Sequence, residues 1–144
     1  MRSCPSTAPP PGSQLTSLLK QHIMIAADVT KAAKANDAAQ VAAQQKLWSA
    51  NADQLAAFLA GANPAWPRAT VRDGLQKHLD FTTTEVVSRL HGDWNADIAA
   101  YDSNHDHMLM FSDMLTNGIV QQFPAKFAAD TSMPVMPPRR GERG

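Results

Sequence analysis

Apolar residues recur along this chain every three or four positions, and the strict alternation of a half-buried strand is absent. The pattern predicts four helical runs, at about 14–34, 38–60, 67–90 and 94–122. Projected at about 100° per residue, each run carries an apolar stripe. In the first run the stripe is Leu15, Leu18, Leu19, Ala26, Val29 and Ala33, with His22 at its middle. In the second it is Val41, Trp48, Ala52, Leu55, Phe58 and Leu59, enclosing Gln44 and Asn51. The third places Val71, Leu75, Leu79 and Val86 on one side and Phe81 on the other. Between them run His78, Thr82, Glu85 and Arg89. The fourth carries Trp94, Ile98, Tyr101, Met108, Leu109, Leu115 and Ile119, with His105 central. It is also apolar on a second face, where Met110, Phe111 and Met114 are expected to contact another helix, another subunit or a partner.

The breaks between runs are short and chemically specific. Asp37 and Asp93 are suited to N-caps, Gly92 to the left-handed residue that ends a helix, and Pro67 to a first helical turn. Trp66, in a rigid Asn-Pro-Ala-Trp-Pro loop, is expected to staple the helix that follows it. Short connections make consecutive helices antiparallel neighbours. The expected fold is therefore all-α, an antiparallel up-down-up-down four-helix bundle over 14–127. The flanks 1–13 and 128–144 read as a disordered Pro-rich leader and tail. Four of the ten prolines fall in the first thirteen residues.

Composition narrows the function classes by exclusion. The 144 residues carry 13 Lys+Arg and 13 Asp+Glu, for a net charge of zero. No basic footprint for nucleic acid results. The single cysteine, Cys4, allows neither an internal disulfide nor a cysteine metal cage. No apolar run is long enough to span a membrane, and no signal peptide opens the chain, which as written reads as cytoplasmic. Phosphate loops, nucleophile elbows and haem-attachment motifs are missing.

What remains is an inward polar layer. At about 1.5 Å per residue in antiparallel helices, His22, Asn51, His78 and His105 fall at one level of the bundle. Three imidazoles on facing helices, with Glu85 as a fourth ligand and Asn51 orienting them, would suit zinc, copper, iron or nickel. The blander reading is a hydrogen-bonded layer that fixes helix register. Glu85, the one glutamate of the helical region, needs a partner if it faces inward. Arg89, four residues on, is the expected one, with His78 as the other candidate. A third reading makes Glu85 a general base, which needs a cleft open beside it. The tract 105–114, His-Asp-His-Met-Leu-Met-Phe-Ser-Asp-Met, has copper-binding composition, but its side chains project on several faces and cannot converge on one ion. The reading favoured overall is a non-enzymatic bundle module used in interaction or assembly; a metal-binding bundle is the alternative.

The strings LTSLLKQHIMIAADVTKAAKA, ANADQLAAFLAGANPAW, HLDFTTTEVV, DWNADIAAYD and GIVQQFPAKF resemble a family of bacterial helical-bundle proteins, many of them exported or membrane-anchored. The resemblance spans about 12–127 and implies an exported or envelope location. It supplies no functional residues. It also implies a further helical segment before the aligned part, so the chain reads as N-terminally truncated. Such a missing helix, or self-association, would then cover the outer face of the fourth helix.

Overall fold

The structure, a computed structural model, describes residues 10–128. The flanks expected to be disordered thus lie, for 1–9 and 129–144, outside the described residues. Among those described there are no strands. The chain forms α1 (Pro11–Lys34), α2 (Ala38–Ala62), α3 (Arg68–His91), α4 (Trp94–Gln122) and a single turn, α5 (Pro124–Phe127). The fold is an all-α helical bundle. Pro11–Ser13, expected to belong to the leader, are helical instead. Pro11 stands at the helix start, where its fixed φ is suited and its missing N–H has no intrahelical role.

The connections follow the turn chemistry. The Asp37 carboxylate accepts from Gln40 N at 2.9 Å, and that of Asp93 accepts from Ala96 N at 3.0 Å. Gly92 adopts φ 75°, the left-handed conformation that frees the last carbonyls of α3 for capping. Asn63, buried at the end of α2, turns the chain by accepting from Ala65 N at 2.9 Å.

The core is built mainly by three helices: Ile25 and Val29 of α1, Trp48, Leu55 and Ala56 of α2, and Val71, Leu75 and Leu79 of α3. The α4 helix enters it through Phe111, whose ring lies over Gly74 of α3. A Cβ at Gly74 would stand 2.6 Å from that ring. Trp66 reaches across to α4, where Nε1 donates to the Leu115 carbonyl at 3.2 Å and the ring covers Gly118.

Helices pack in chain order, α1 on α2, α2 on α3 and α3 on α4, and α1 also reaches α3. Among the described residues α1 and α4 do not pack together, so the bundle is open along that flank. The orientation of α4 corrects the sequence expectation in part: Met108 and Leu115, expected inside, do pack against the core, but most of the expected stripe does not. Its inward residues are Asp97, Ala100, Asn104, His107, Phe111 and Gly118, spaced by threes, fours and a heptad. Trp94, Ile98, Tyr101 and Leu109, expected inside, are more than half exposed, and His105 is exposed with them. Phe111, expected on an outer interaction face, is 9% exposed and belongs to the core, while Met110 is 63% exposed. Met114 is half-buried against the core. The reason is steric and polar together. Ala100 and Gly118 permit close approach, and Asp97, Asn104 and His107 each find a partner on α3.

Candidate functional site

The residues that carry chemistry meet along α3, with α1 and α2 on one side of it and α4 on the other. His22 projects from the inner side of α1, and its Nδ1 lies 2.7 Å from Asn51 Oδ1 on α2. The amide of Asn51 has only one orientation consistent with its neighbours. Its nitrogen faces the Leu18 carbonyl at 3.0 Å and Gln21 Oε1 at 3.3 Å, and a carbonyl can only accept. The oxygen of Asn51 therefore faces His22, and His22 Nδ1–H is the donor.

A second chain of the same kind runs through α3 and α4. His78 Nδ1 lies 2.9 Å from Asn104 Oδ1. The Asn104 nitrogen donates to Glu85 Oε1 at 2.7 Å and to Thr82 Oγ1 at 3.2 Å. Thr82 passes its own hydroxyl hydrogen back to the His78 carbonyl at 2.8 Å. The carboxylate of Glu85 thus orients an amide, and the amide fixes the tautomer of an imidazole. In the neutral form of each histidine this places the proton on Nδ1 and the lone pair on Nε2.

The two rings lie together, with centroids 6.3 Å apart and planes 14° from parallel. Trp48 walls the His22 side at 5.4 Å. Burial is the main influence on His22 and lowers its pKa below the usual 6.5. The bond to Asn51 opposes that shift, and the like charge of His78 adds to it.

Of the residues singled out from sequence, the structure brings together His22, Asn51, His78 and, through Asn104, Glu85. It leaves His105 outside, beside Tyr101 and Asp106 on the exposed face. The position expected for His105 is filled by Asn104, one residue earlier. Asn104 is recoverable only by choosing the inward face from small and polar residues rather than bulky ones. His107 is also inward, donating from Nε2 to the Gly74 carbonyl at 2.8 Å, the opposite tautomer to His22 and His78. Among the described residues no group of three or more His, Cys, Asp or Glu is placed to hold a metal ion.

Glu85 does not pair with Arg89. The Arg89 guanidinium reaches across to Asp97 of α4 at 2.7 Å, and the Asp97 side chain is almost wholly buried while Arg89 is mostly exposed. These residues, with Val86, Ile98 and Tyr101, line an open groove of about 380 Å³ between α3 and α4. No helix among the described residues is long and apolar enough to cross a membrane. Compared with known proteins, the chain matches no family model, no curated protein and no solved structure.

Proposed function

We propose that this chain is a non-enzymatic helical-bundle module that assembles through its open α1/α4 flank, with the His/Asn/Glu layer fixing helix register beneath it. One observation carries the reading. The α4 helix turns its small and polar residues inward and leaves Trp94, Ile98 and Tyr101 exposed on the flank where a closed bundle would place α1. The facing side of α1 matches it. Gln21 lies toward α2, through Asn51, whereas Leu19 and Ile23 project on the other side and are 47% and 67% exposed. Apolar side chains on both walls of an unclosed gap are an interaction surface by composition. The zero net charge opposes no self-association.

The occupant proposed is a second copy of the chain. Sedimentation velocity over a hundredfold range of concentration tests it. The expected result is reversible association, abolished by the double substitution Ile98→Asp and Tyr101→Asp with helicity unchanged. A rigid monomer at every concentration that binds no hydrophobic dye overturns the reading.

The three-histidine metal site weighed from sequence has less support, because His105 stands apart from the other two. Glu85 as a general base has a groove beside it, but its Oε1 is engaged by Asn104.

A further inference from the structure

We propose that the second copy docks about a two-fold axis parallel to the helices, so that α1 of each copy packs antiparallel on α4 of the other, with Lys20 against Asp102 and Asp106. This rests on the reading that the chain assembles through its open flank, and it names which helix meets which.

Charge assigns the pairing. The α4 helix carries Asp97, Asp102, Asp106 and Asp113 and no lysine or arginine. Asp97 is paired with Arg89 of α3, and Asp106 has only the His105 imidazole beside it, at 3.4 Å. The α1 helix carries Lys20, Lys31 and Lys34 and one acid, Asp28, which pairs with Lys31 at 2.9 Å. An acidic helix and a basic helix thus border the same gap, and among the described residues they do not pack together.

Two limiting two-fold axes lie in the plane of such a face. An axis perpendicular to the helices lays α4 on α4 and α1 on α1, with carboxylates facing carboxylates and ammonium groups facing ammonium groups. An axis parallel to the helices lays α1 on α4 of the other copy, with opposite charges facing. Like charges brought together in an interface cost free energy, and complementary ones steer the approach. The charges therefore select the parallel axis.

The heights of the residues agree with it. Rotation about a line parallel to the helices leaves every residue at its own height along the bundle. His22 stacks on His78, and His78 bonds to Asn104, so His22 and Asn104 stand at about one level. Three short chain reversals make α1 and α4 antiparallel. Lys20, two residues before His22, is then level with Asp106, two residues after Asn104, and about 6 Å from the level of Asp102. On the same scale Leu19 and Ile23 of α1 fall between Tyr101 and Leu109 of α4, and all four are exposed. Helical projection sets Lys20 about 60° round α1 from Ile23, and Asp102 and Asp106 about 20° and 60° round α4 from Leu109. Each charge therefore borders the apolar residues of its helix.

The test uses the full chain with Cys4→Ser, so that introduced cysteines are its only thiols. Ile23→Cys and His105→Cys, about 3 Å apart in height, are made in separate chains. A short bis-maleimide is added to each alone and to their equimolar mixture, and dimers are read by mass spectrometry. The mixture should give cross-linked dimer at least tenfold above either variant alone. Either variant cross-linking to itself as well as the mixture does overturns this pairing while leaving assembly intact. So does the absence of any cross-link from a chain that sedimentation shows to associate. A wild-type chain that sediments as a monomer at every concentration overturns the assembly reading itself. Charge reversal is a second readout, free of cysteines. Lys20→Glu, and separately Asp102→Lys with Asp106→Lys, should each raise the dissociation constant at least threefold with helicity unchanged, and all three in one chain should restore it. Reversals without effect, or a triple variant weaker than either parent, overturn the pairing.

Discussion

Replacing Asn51 by Ala separates the polar layer from the apolar core around it. Asn51 is 2% exposed and makes three side-chain bonds, at 2.7 Å to His22, 3.0 Å to the Leu18 carbonyl and 3.3 Å to Gln21. A neutral hydrogen bond contributes about 1 kcal/mol net, and the longest of the three contributes least. The Leu18 carbonyl also sits within α1, where the helix ladder supplies it with a donor. His22 is half-buried and can move its proton to Nε2, where water reaches it. Neither partner is fully orphaned, so the loss should be about 2–3 kcal/mol, including a small cavity. Urea unfolding followed by helix circular dichroism would read this as a midpoint shift of about 1–2 M, for a slope ordinary in a domain of this size. The specific signature is the tautomer: His22 should lose its Nδ1–H form in nitrogen NMR while His78, held by Asn104, keeps it. A loss under about 0.5 kcal/mol with unaltered His22 signals would refute the hydrogen-bond chain.

Three further outcomes follow from the same contacts. Gly118→Ala places a methyl group against the Trp66 ring, and should cost about 1–3 kcal/mol in urea unfolding. Gly61→Ala, which meets open space near the end of α2, should be neutral or stabilise by up to about 1 kcal/mol. Arg89→Ala leaves the buried Asp97 carboxylate without its cation and should cost about 2 kcal/mol; Asp97→Ala leaves only a solvated guanidinium and should cost about half as much. The pH dependence of unfolding should show His22. Its folded pKa lies below its unfolded value of 6.5, so in that interval the unfolded chain binds more protons and stability rises with pH. Stability should therefore fall as pH drops from above 6.5 until the folded pKa is passed; His22→Gln should flatten this slope and Asn51→Ala should extend it to lower pH.

The helices and their caps were legible because each signal is local. Asp37, Gly92 and Asp93 act within a few residues of their own position, and periodicity phases the buried faces of α2 and α3; in α1 it includes Leu19, which is 47% exposed, and passes over Ile25, which is 7% exposed. The phase of α4 was not legible from bulk hydrophobicity. Its sequence offers one face of Trp94, Ile98, Tyr101 and Leu109 and another of Ala100, Phe111 and Gly118. Burial area alone favours the first, yet the chain uses the second. The choice depends on contacts that exist only in three dimensions: Gly74 making room for Phe111, Trp66 seated on Gly118, and Arg89 waiting for Asp97. One consequence was the substitution of His105 for Asn104 in the expected layer. Another was the pairing of Glu85 with Arg89, since the true partners of both lie on α4. His22, Asn51 and His78 are legible because each lies within the inward stripe of its own helix.

The inward face of α4 has an energetic corollary. A helix attached by Asp97, Asn104 and His107 is positioned by directional bonds, each contributing about 1 kcal/mol net. The side chains it leaves outside are worth more: fully burying a Leu, Ile or Phe contributes about 1.5–3 kcal/mol. Trp94, Ile98, Tyr101, Leu109, Leu19 and Ile23 retain roughly half their surface, so covering them would contribute about 1 kcal/mol each. Any partner that covers them must offset an association cost of about 4–15 kcal/mol. Two copies meeting about a two-fold axis would each contribute the same residues and double the gain, which brings net association within reach.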